Sequence, residues 1–324
     1  MRIIRLEEIE GCLEPCVATV GFFDGVHRGH QYVVSQMKEL AQRERLRTTA
    51  VTFGQHPRQV LDSTWHPQLL TTLDEKARLL AETGIDSLVI LPFDRDMARL
   101  TARQFMQLLS ERVGAKLLLT GYDNRFGCRS QVTLPDGQQR DENFADYVYY
   151  GQELGLQVVL GKAYEVNGIN VSSSKVRHLL TEGDVETAAQ YLGRSYTISG
   201  RVVEGRHIGR QLGYPTANIE PSDPYKMLPA GGVYGVMVSL DGAGTPQPGM
   251  MNIGTCPTFD GTMQTIEVHL FGYEGNLYGR QMTTAIMFRQ RGEQKFETAT
   301  NLVQQLQQDA EAISKRLIPK TTAI

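Results

Sequence analysis

Cysteine is scarce: only Cys12, Cys16, Cys128 and Cys256 occur in 324 residues. Cys12 and Cys16 stand four apart, outside the C-x-x-C spacing of a redox or zinc pair, and the other two have no ligand-type neighbour. The thiols therefore read as free and the compartment as reducing. Long apolar runs are missing too, and no stretch nears the ~20 residues of a membrane span. Glu7 and Glu8 interrupt the N-terminus before any apolar core can build, which excludes a signal-peptide pattern. The expected location is the cytoplasm, with no membrane partner. A surplus of charge of one sign is also absent. Lys and Arg total 33 against 36 Asp and Glu, for a net charge of −3. That excludes the broad basic field of a nucleic-acid-binding surface. Finally, no glycine-rich segment ends in Gly-Lys-Ser/Thr, so there is no Walker A loop. Any polyanion bound here must be met by local groups.

The remaining composition is that of a globular chain, with 41% hydrophobic and 21% charged residues, and the length suits two domains. The two halves differ in rhythm. In the first, strand-like runs at Val17–Phe22, Thr48–Phe53, Ser87–Leu91, Lys116–Thr120 and Leu156–Leu160 alternate with helical patterns at Gln31–Ala41, Leu73–Thr83 and Ala102–Val113. Such alternation predicts a Rossmann-like α/β domain, a parallel sheet with helices on both faces and ligand loops at the strand C-termini. From Tyr196 on, period-two alternation and dense Gly and Pro predict an all-β barrel, with strands at Val233–Leu240, Thr265–Leu270 and Thr283–Phe288. It closes in one helix with a single apolar stripe from Phe296 through Val303, Leu306 and Ile313 to Leu317, read as packing on its own barrel rather than as a coiled coil. The expected division is 1–183, a linker helix over 184–195, and 196–324.

The most informative segment is Gly21-Phe22-Phe23-Asp24-Gly25-Val26-His27-Arg28-Gly29-His30, between a strand and a helix. Glycines flank a turn where the backbone must approach something closely. His27 and His30, three apart, share one face of the first helical turn, where free N–H groups form an anion site. Two imidazoles, a bare Gly29 and a helix N-terminus make a cradle for a triphosphate. Further on, Val171-Ser172-Ser173-Ser174-Lys175-Val176-Arg177 places hydroxyls and a guanidinium at a helix start, where they can converge on phosphate oxygens. A plain capped helix also accounts for that serine run taken alone.

In the second half, Gly205, Gly209 and Gly213 are spaced by four and lead into Tyr214-Pro215-Thr216-Ala217-Asn218. Such a loop can turn its amides toward phosphates. On an extended segment Thr216 and Asn218 face the same way and can offer oxygens to Mg²⁺. Glu267 and His269 share the polar face of Thr265–Leu270, and a carboxylate there can take a proton from an alcohol. On spacing alone, a glycine-rich turn and a solvated strand face remain open.

Taken in order, these segments resemble a known family. The Gly21–His30 string is similar to the H-x-G-H signature of nucleotidyltransferases and, more narrowly, to the FMN adenylyltransferase half of bacterial bifunctional riboflavin kinase/FAD synthetases. Thr52-Phe53-Gly54-Gln55-His56-Pro57 resembles that family's T-F-x-P-H-P turn, with Gln55 in a proline place. Gly121–Gly127 resembles G-x-D-F-x-F-G with Asn124 for phenylalanine, and 171–177 resembles I-S-S-T-x-I-R with Ser174 for threonine. In the second half Gly205–Asn218 resembles the riboflavin kinase signature, followed by Gly232-Val233-Tyr234, Asn252-Ile253-Gly254, Ile266–Leu270, Leu277-Tyr278-Gly279 and Arg291–Phe296. The resemblance implies ATP-dependent phosphorylation of riboflavin to FMN in the barrel, and adenylylation of FMN to FAD with release of pyrophosphate in the first half. It implies His27, His30, Arg177 and Glu267 as catalytic residues. Nucleotide contacts would come from Gly21, Phe23, Asp24, Gly29, Ser173, Ser174, Gly205, Gly209, Arg210, Thr216 and Asn218. Flavin contacts would come from Asp123, Phe126, Gly232, Tyr234, Arg291 and Glu293, and Thr216 and Asn218 would hold the Mg²⁺ that accompanies ATP. Whether Asp123 serves a metal, a hydroxyl or the order of its loop stays open from the sequence.

Overall fold

A computed structural model describes the chain apart from Ser63, 122–124, 129–130, 134–137, 167, 206–207, 259–260 and 319–324. The chain divides into two compact units, Met1–Ser172 and Ser173–Ile324.

The strands of the first unit are β1 (Arg2–Arg5), β2 (Cys16–Val20), β3 (Arg47–Phe53), β4 (Ser87–Leu91), β5 (Ala115–Thr120), the short hairpin β6 (Gln131–Thr133) and β7 (Gln139–Asp141), β8 (Gln157–Leu160), and a second small hairpin of β9 (Glu165–Val166) with β10 (Ile169–Asn170). Its helices are α1 (Arg28–Glu44), α2 (Pro57–Leu61), α3 (Leu73–Glu82), α4 (Ala102–Glu111) and α5 (Phe144–Leu154). Six strands pair in the order β1-β4-β3-β2-β5-β8, all parallel. β2 is buried along its whole length, as a parallel strand covered on both faces must be. One face packs Val17, Met37, Leu80 and Leu88 under α1 and α3. The other packs Val20, Val51, Met106, Leu118 and Tyr147 under α4 and α5. The chain runs outward from β2 to β3 and β4, then returns to place β5 on β2's other side. The switch point therefore lies beside β2, and the Gly21–His30 turn follows that strand.

The second unit opens with α6 (Ser173–Glu182) and α7 (Val185–Leu192). Leu180, Val185, Ala188 and Leu192 are buried. The Ala230 amide and the Arg289 guanidinium donate to Leu180 O and Glu182 O, closing the C-terminal turn of α6. The strands β11 (Tyr196–Val203), β12 (Ala217–Pro221), β13 (Gly232–Leu240), β14 (Ala243–Thr258), β15 (Gly261–Leu270) and β16 (Gln281–Gly292) close a barrel in the order β11-β12-β15-β14-β13-β16. The short α8 (Ile208–Gln211) follows β11, and α9 (Ala299–Leu317) ends the unit. The parallel sheet, the barrel and the terminal helix are the architecture read from the sequence.

Several details differ from the sequence reading, among them α5 and the two small hairpins of the first unit, which it did not contain. β1 gave no signal, because only Ile4 of its four residues is buried. β12 and the long β14 were also missed, for Pro248 and the glycines of β14 break its alternation. The last helix begins at Ala299 rather than Phe296, because the Thr298 hydroxyl caps it by accepting from the Asn301 amide at 3.2 Å.

Candidate active sites

The first site grows from the turn after β2. Phe23 sits at φ 52°, in the left-handed region, and its ring is buried. A Cβ on Gly21 would stand 3.1 Å from that ring, so any side chain there would force the ring to shift. Asp24 is also buried, and its carboxylate accepts from the amides of Leu70 and Thr71 at 3.1 and 3.0 Å. The Gly25 amide donates back to Thr71 Oγ1 at 3.0 Å. Asp24 and Gly25 thus fasten the turn to the approach of α3, and sequence reasoning had no signal for that partner.

His27 caps α1, its Nδ1 accepting the His30 amide hydrogen at 3.3 Å. An Nδ1 that accepts leaves the proton of a neutral ring on Nε2. The two imidazoles stack with centroids 3.7 Å apart and planes 15° from parallel. A Cβ on Gly29 would stand 3.0 Å from the His27 ring, so the bare glycine makes room for the stack. His30 Nδ1 is buried without a partner. Burial first, then His27 and Lys76, hold the His30 pKa well below the usual imidazole range, so His30 is neutral.

Next to this turn lies a cavity of about 520 Å³ lined by Gly21, Phe22, Phe53, Phe93, Phe105 and Phe126, with Arg125 at its edge. Phe126 is buried against Phe105 and Tyr147. Phe53, Phe93 and Phe105 were missed as site residues, because each reads in the sequence as an ordinary core aromatic. Asp123 lies outside the described residues. Ser173 and Ser174 open α6, which also carries Arg177, and all three belong to the compact unit of the barrel.

The second site is set by strand register. Asn218 on β12 pairs with Glu267 on β15, Glu267 with Asn252 on β14, Asn252 with Val233 on β13, and Val233 with Arg291 on β16. Directly opposed residues share a face, so Glu267 stands between two asparagine amides. Asn252 was quoted in the sequence only as part of a motif; its place in this row emerges only when the barrel closes. Thr216 donates to Glu267 Oε2 at 3.0 Å. A methyl on Gly205 would overlap the Asn218 amide, and one on Gly209 would collide with Tyr214 O.

Two cavities flank Thr216. One, of about 370 Å³, is lined by Thr216, Asn252, Glu267, Arg291, Glu293 and Phe296, with Leu302 and Leu306 of α9 forming an apolar side. The other, of about 610 Å³, is lined by Arg210, Thr216, Glu274, Asn276 and Tyr278 among others. Thr216 belongs to both. Arg291 Nε donates to the buried Asp309 at 2.8 Å, and the Thr255 amide donates to Glu293 Oε1 at 3.2 Å. Gly232 has φ 152°, and Tyr234 is a buried wall residue whose hydroxyl donates to Ala230 O.

Comparison with known proteins matches this division. The FAD synthetase family profile matches residues 9–175, and the riboflavin kinase profile residues 192–317. A bifunctional riboflavin kinase/FMN adenylyltransferase of Escherichia coli strain K12 is 36% identical over 297 residues, covering 91% of each chain. That of Haemophilus influenzae is 33% identical, covering 96% of this chain and 97% of its own. Among solved structures, one described as a macrolide-efflux protein from Streptococcus pneumoniae is 27% identical with a TM-score of 0.81, over 97% of this chain and 99% of that one. Among the described residues no helix is long and apolar enough to cross a membrane. Both profiles in their order, and identities above 30% over nine-tenths of the length, show that the chain belongs to the family of bifunctional riboflavin kinase/FMN adenylyltransferases.

Proposed function

We propose that the barrel transfers the γ-phosphoryl group of ATP to riboflavin, and that the first module then adenylylates the FMN to FAD, in the cytoplasm. Residues 1–183 carry the adenylyl chemistry, 184–195 link, and 196–324 carry the kinase. The observation that supports the kinase reading most is Glu267, which lines the smaller cavity, flanked by two asparagines and bonded to Thr216, the residue that lines both cavities. The apolar cavity under α9 suits an isoalloxazine, with Arg291 and Glu293 at its polar rim. The larger cavity, lined by Arg210 and Thr216, suits the nucleotide.

In phosphoryl transfer the ribityl 5′-hydroxyl attacks the γ-phosphorus in line, the bond to the bridging oxygen breaks, and ADP leaves. Glu267 takes the hydroxyl proton as the new P–O bond forms. Among the described residues no cluster of three His, Cys, Asp or Glu could hold a metal alone. Thr216 and Asn218 offer a hydroxyl and an amide oxygen beside Glu267. These are hard oxygen donors that fit Mg²⁺ when its other ligands are waters and nucleotide phosphates. When bound, that ion neutralises charge on the β- and γ-phosphates.

In adenylyl transfer the FMN phosphate attacks the α-phosphorus of ATP as pyrophosphate leaves. The His27 Nε2–H and the His30 ring stabilise charge at the five-coordinate phosphorus. Ser173, Ser174 and Arg177 hold the phosphates, and Gly21 and Gly29 let the chain come close to them. Phe126 and the phenylalanines around it receive the flavin ring, and Asp123 belongs to the same loop. Incubation with riboflavin, ATP and Mg²⁺, followed by chromatography, should show FMN first and FAD later. Riboflavin left untouched while supplied FMN becomes FAD would remove the kinase half of this reading.

A further inference from the structure

Lys76 is a lysine where lysines are rarely found. It lies on α3, 2% exposed, between the turn after β2 and the end of β3. Its Nζ sits 3.8 Å from the centroid of the Phe22 ring. It donates to Thr52 Oγ1 at 3.5 Å, and Thr52 Oγ1 in turn donates to Phe22 O at 3.2 Å. Asp24, whose oxygens bind the Leu70 and Thr71 amides, is the charged group that favours its protonation, and His30 is the titratable group that feels its charge. Among the described residues no carboxylate forms an ion pair with it within 4.0 Å.

Burying an ammonium on this footing costs stability. An aromatic face and one long hydroxyl contact restore only part of the lost hydration. A methionine or leucine would fill the same space against Phe22 without that cost. The placement is also deliberate. The hydrogen bonds from Asp24 to Leu70 and Thr71 fix where α3 begins, and a Thr72–Glu75 capping box fixes its first turn. Lys76 is thereby delivered beneath the very turn that carries Gly21, His27 and His30. A positive charge in a low-dielectric wall acts strongly on an anion that enters beside it, because little water screens the pair.

We infer that Lys76 is a positioning residue for adenylyl transfer: its buried charge, acting through Phe22 and the Gly21–His30 turn, holds the polyphosphate of the nucleoside triphosphate. The inference rests on the adenylylation reading of this module. The desolvated ammonium is shifted down to about 8 by burial, so at neutral pH the charge is present yet costly. Its balance arrives with the nucleotide.

The test is Lys76→Met, which keeps length and packing but removes the charge, beside Lys76→Arg, which keeps the charge. FAD formation from supplied FMN is measured against ATP concentration, with riboflavin phosphorylation by the same preparation as reference. The expected result is an ATP KM for FAD formation raised about tenfold or more in Lys76→Met, unchanged phosphorylation, and an equal or higher melting temperature. Lys76→Arg recovers most of the ATP affinity, and if the bulkier side chain loosens the fold its KM still lies below that of Lys76→Met. A Lys76→Met variant with the parent ATP KM overturns the inference, as does one whose phosphorylation and FAD formation fall together with its melting temperature, the mark of a purely structural lysine. Failure of the unmodified protein to make FAD from FMN would instead remove the adenylylation reading itself.

Discussion

Thr216, which lines both cavities of the barrel, donates its hydroxyl to the Glu267 carboxylate at 3.0 Å. The bond ties the proposed base to a residue that also lines the nucleotide side. Replacing Thr216 by Val keeps the shape of the side chain but removes both the donor to Glu267 and an oxygen for the metal. Riboflavin phosphorylation should fall by roughly 10²-fold. Thr216→Ser, which retains the hydroxyl, should stay within about tenfold of the parent. A larger loss in Thr216→Ser than in Thr216→Val would show that the methyl packing matters rather than the hydroxyl.

Gly205 makes a sharper geometric claim. A methyl there would overlap the Asn218 amide, so Gly205→Ala must displace that side chain from its present position. The loop is near the surface and the barrel core is untouched, so the melting temperature should move by less than ~1 kcal/mol equivalent. Phosphorylation should drop and its Mg²⁺ requirement should rise. Parent behaviour at limiting Mg²⁺ would separate Asn218 from the metal.

The charge of Lys76 gives stability a signed pH dependence. Its folded-state pKa is lowered from 10.5 to about 8 by burial. Between those values the unfolded chain holds the proton more tightly, so the parent gains stability as pH rises through that window. Below about 8 the full cost, on the order of 3 kcal/mol, is present. Lys76→Met should therefore be the more stable protein at pH 7, and its advantage should shrink between pH 8 and pH 10. Denaturant unfolding of both proteins at these three pH values checks the sign, and a constant difference would contradict it.

Separability of the barrel is set by α6 and α7. Leu180, Val185, Ala188 and Leu192 are buried, and Ala230 and Arg289 bond to the end of α6. A fragment beginning at Ser173 should fold and phosphorylate riboflavin at a rate close to that of the whole chain. One beginning at Arg194 loses this cover, and each large apolar group stripped from it costs about 1.5–3 kcal/mol. Its melting temperature should be well below that of the longer fragment. Equal melting temperatures would make the two helices dispensable.

Much of the architecture was legible because it rests on periodicity. Alternating strand and helix patterns announced the parallel sheet, and the boundaries of β4 were readable to the residue. The stacked imidazoles followed from three-residue spacing at a helix start, which rotation along a helix fixes locally. What stayed hidden depends on contacts distant in sequence. Lys76 is 46 residues beyond His30 in an ordinary amphipathic helix, and nothing local marks it as buried. Asn252 reaches Glu267 only because β14 and β15 pair in one register. Phe53 and Phe105 look like core residues because they are packed as such on one side and face a cavity on the other, and Phe93 lines the same cavity edge-on to Phe53.

The central claim is that one chain holds two separate sites, with FMN the product of one and the substrate of the other. It is tested most directly by following riboflavin, FMN and FAD together in the parent, in Glu267→Gln and in His30→Ala, each checked for an intact melting transition. The parent should convert riboflavin to FMN and then to FAD. Glu267→Gln should lose riboflavin phosphorylation by roughly 10²–10⁴-fold, mainly in kcat, while still turning supplied FMN into FAD. His30→Ala should make FMN at the parent rate and lose FAD formation by roughly 10²–10³-fold. Loss of both reactions in either folded variant, or of neither, would contradict the account.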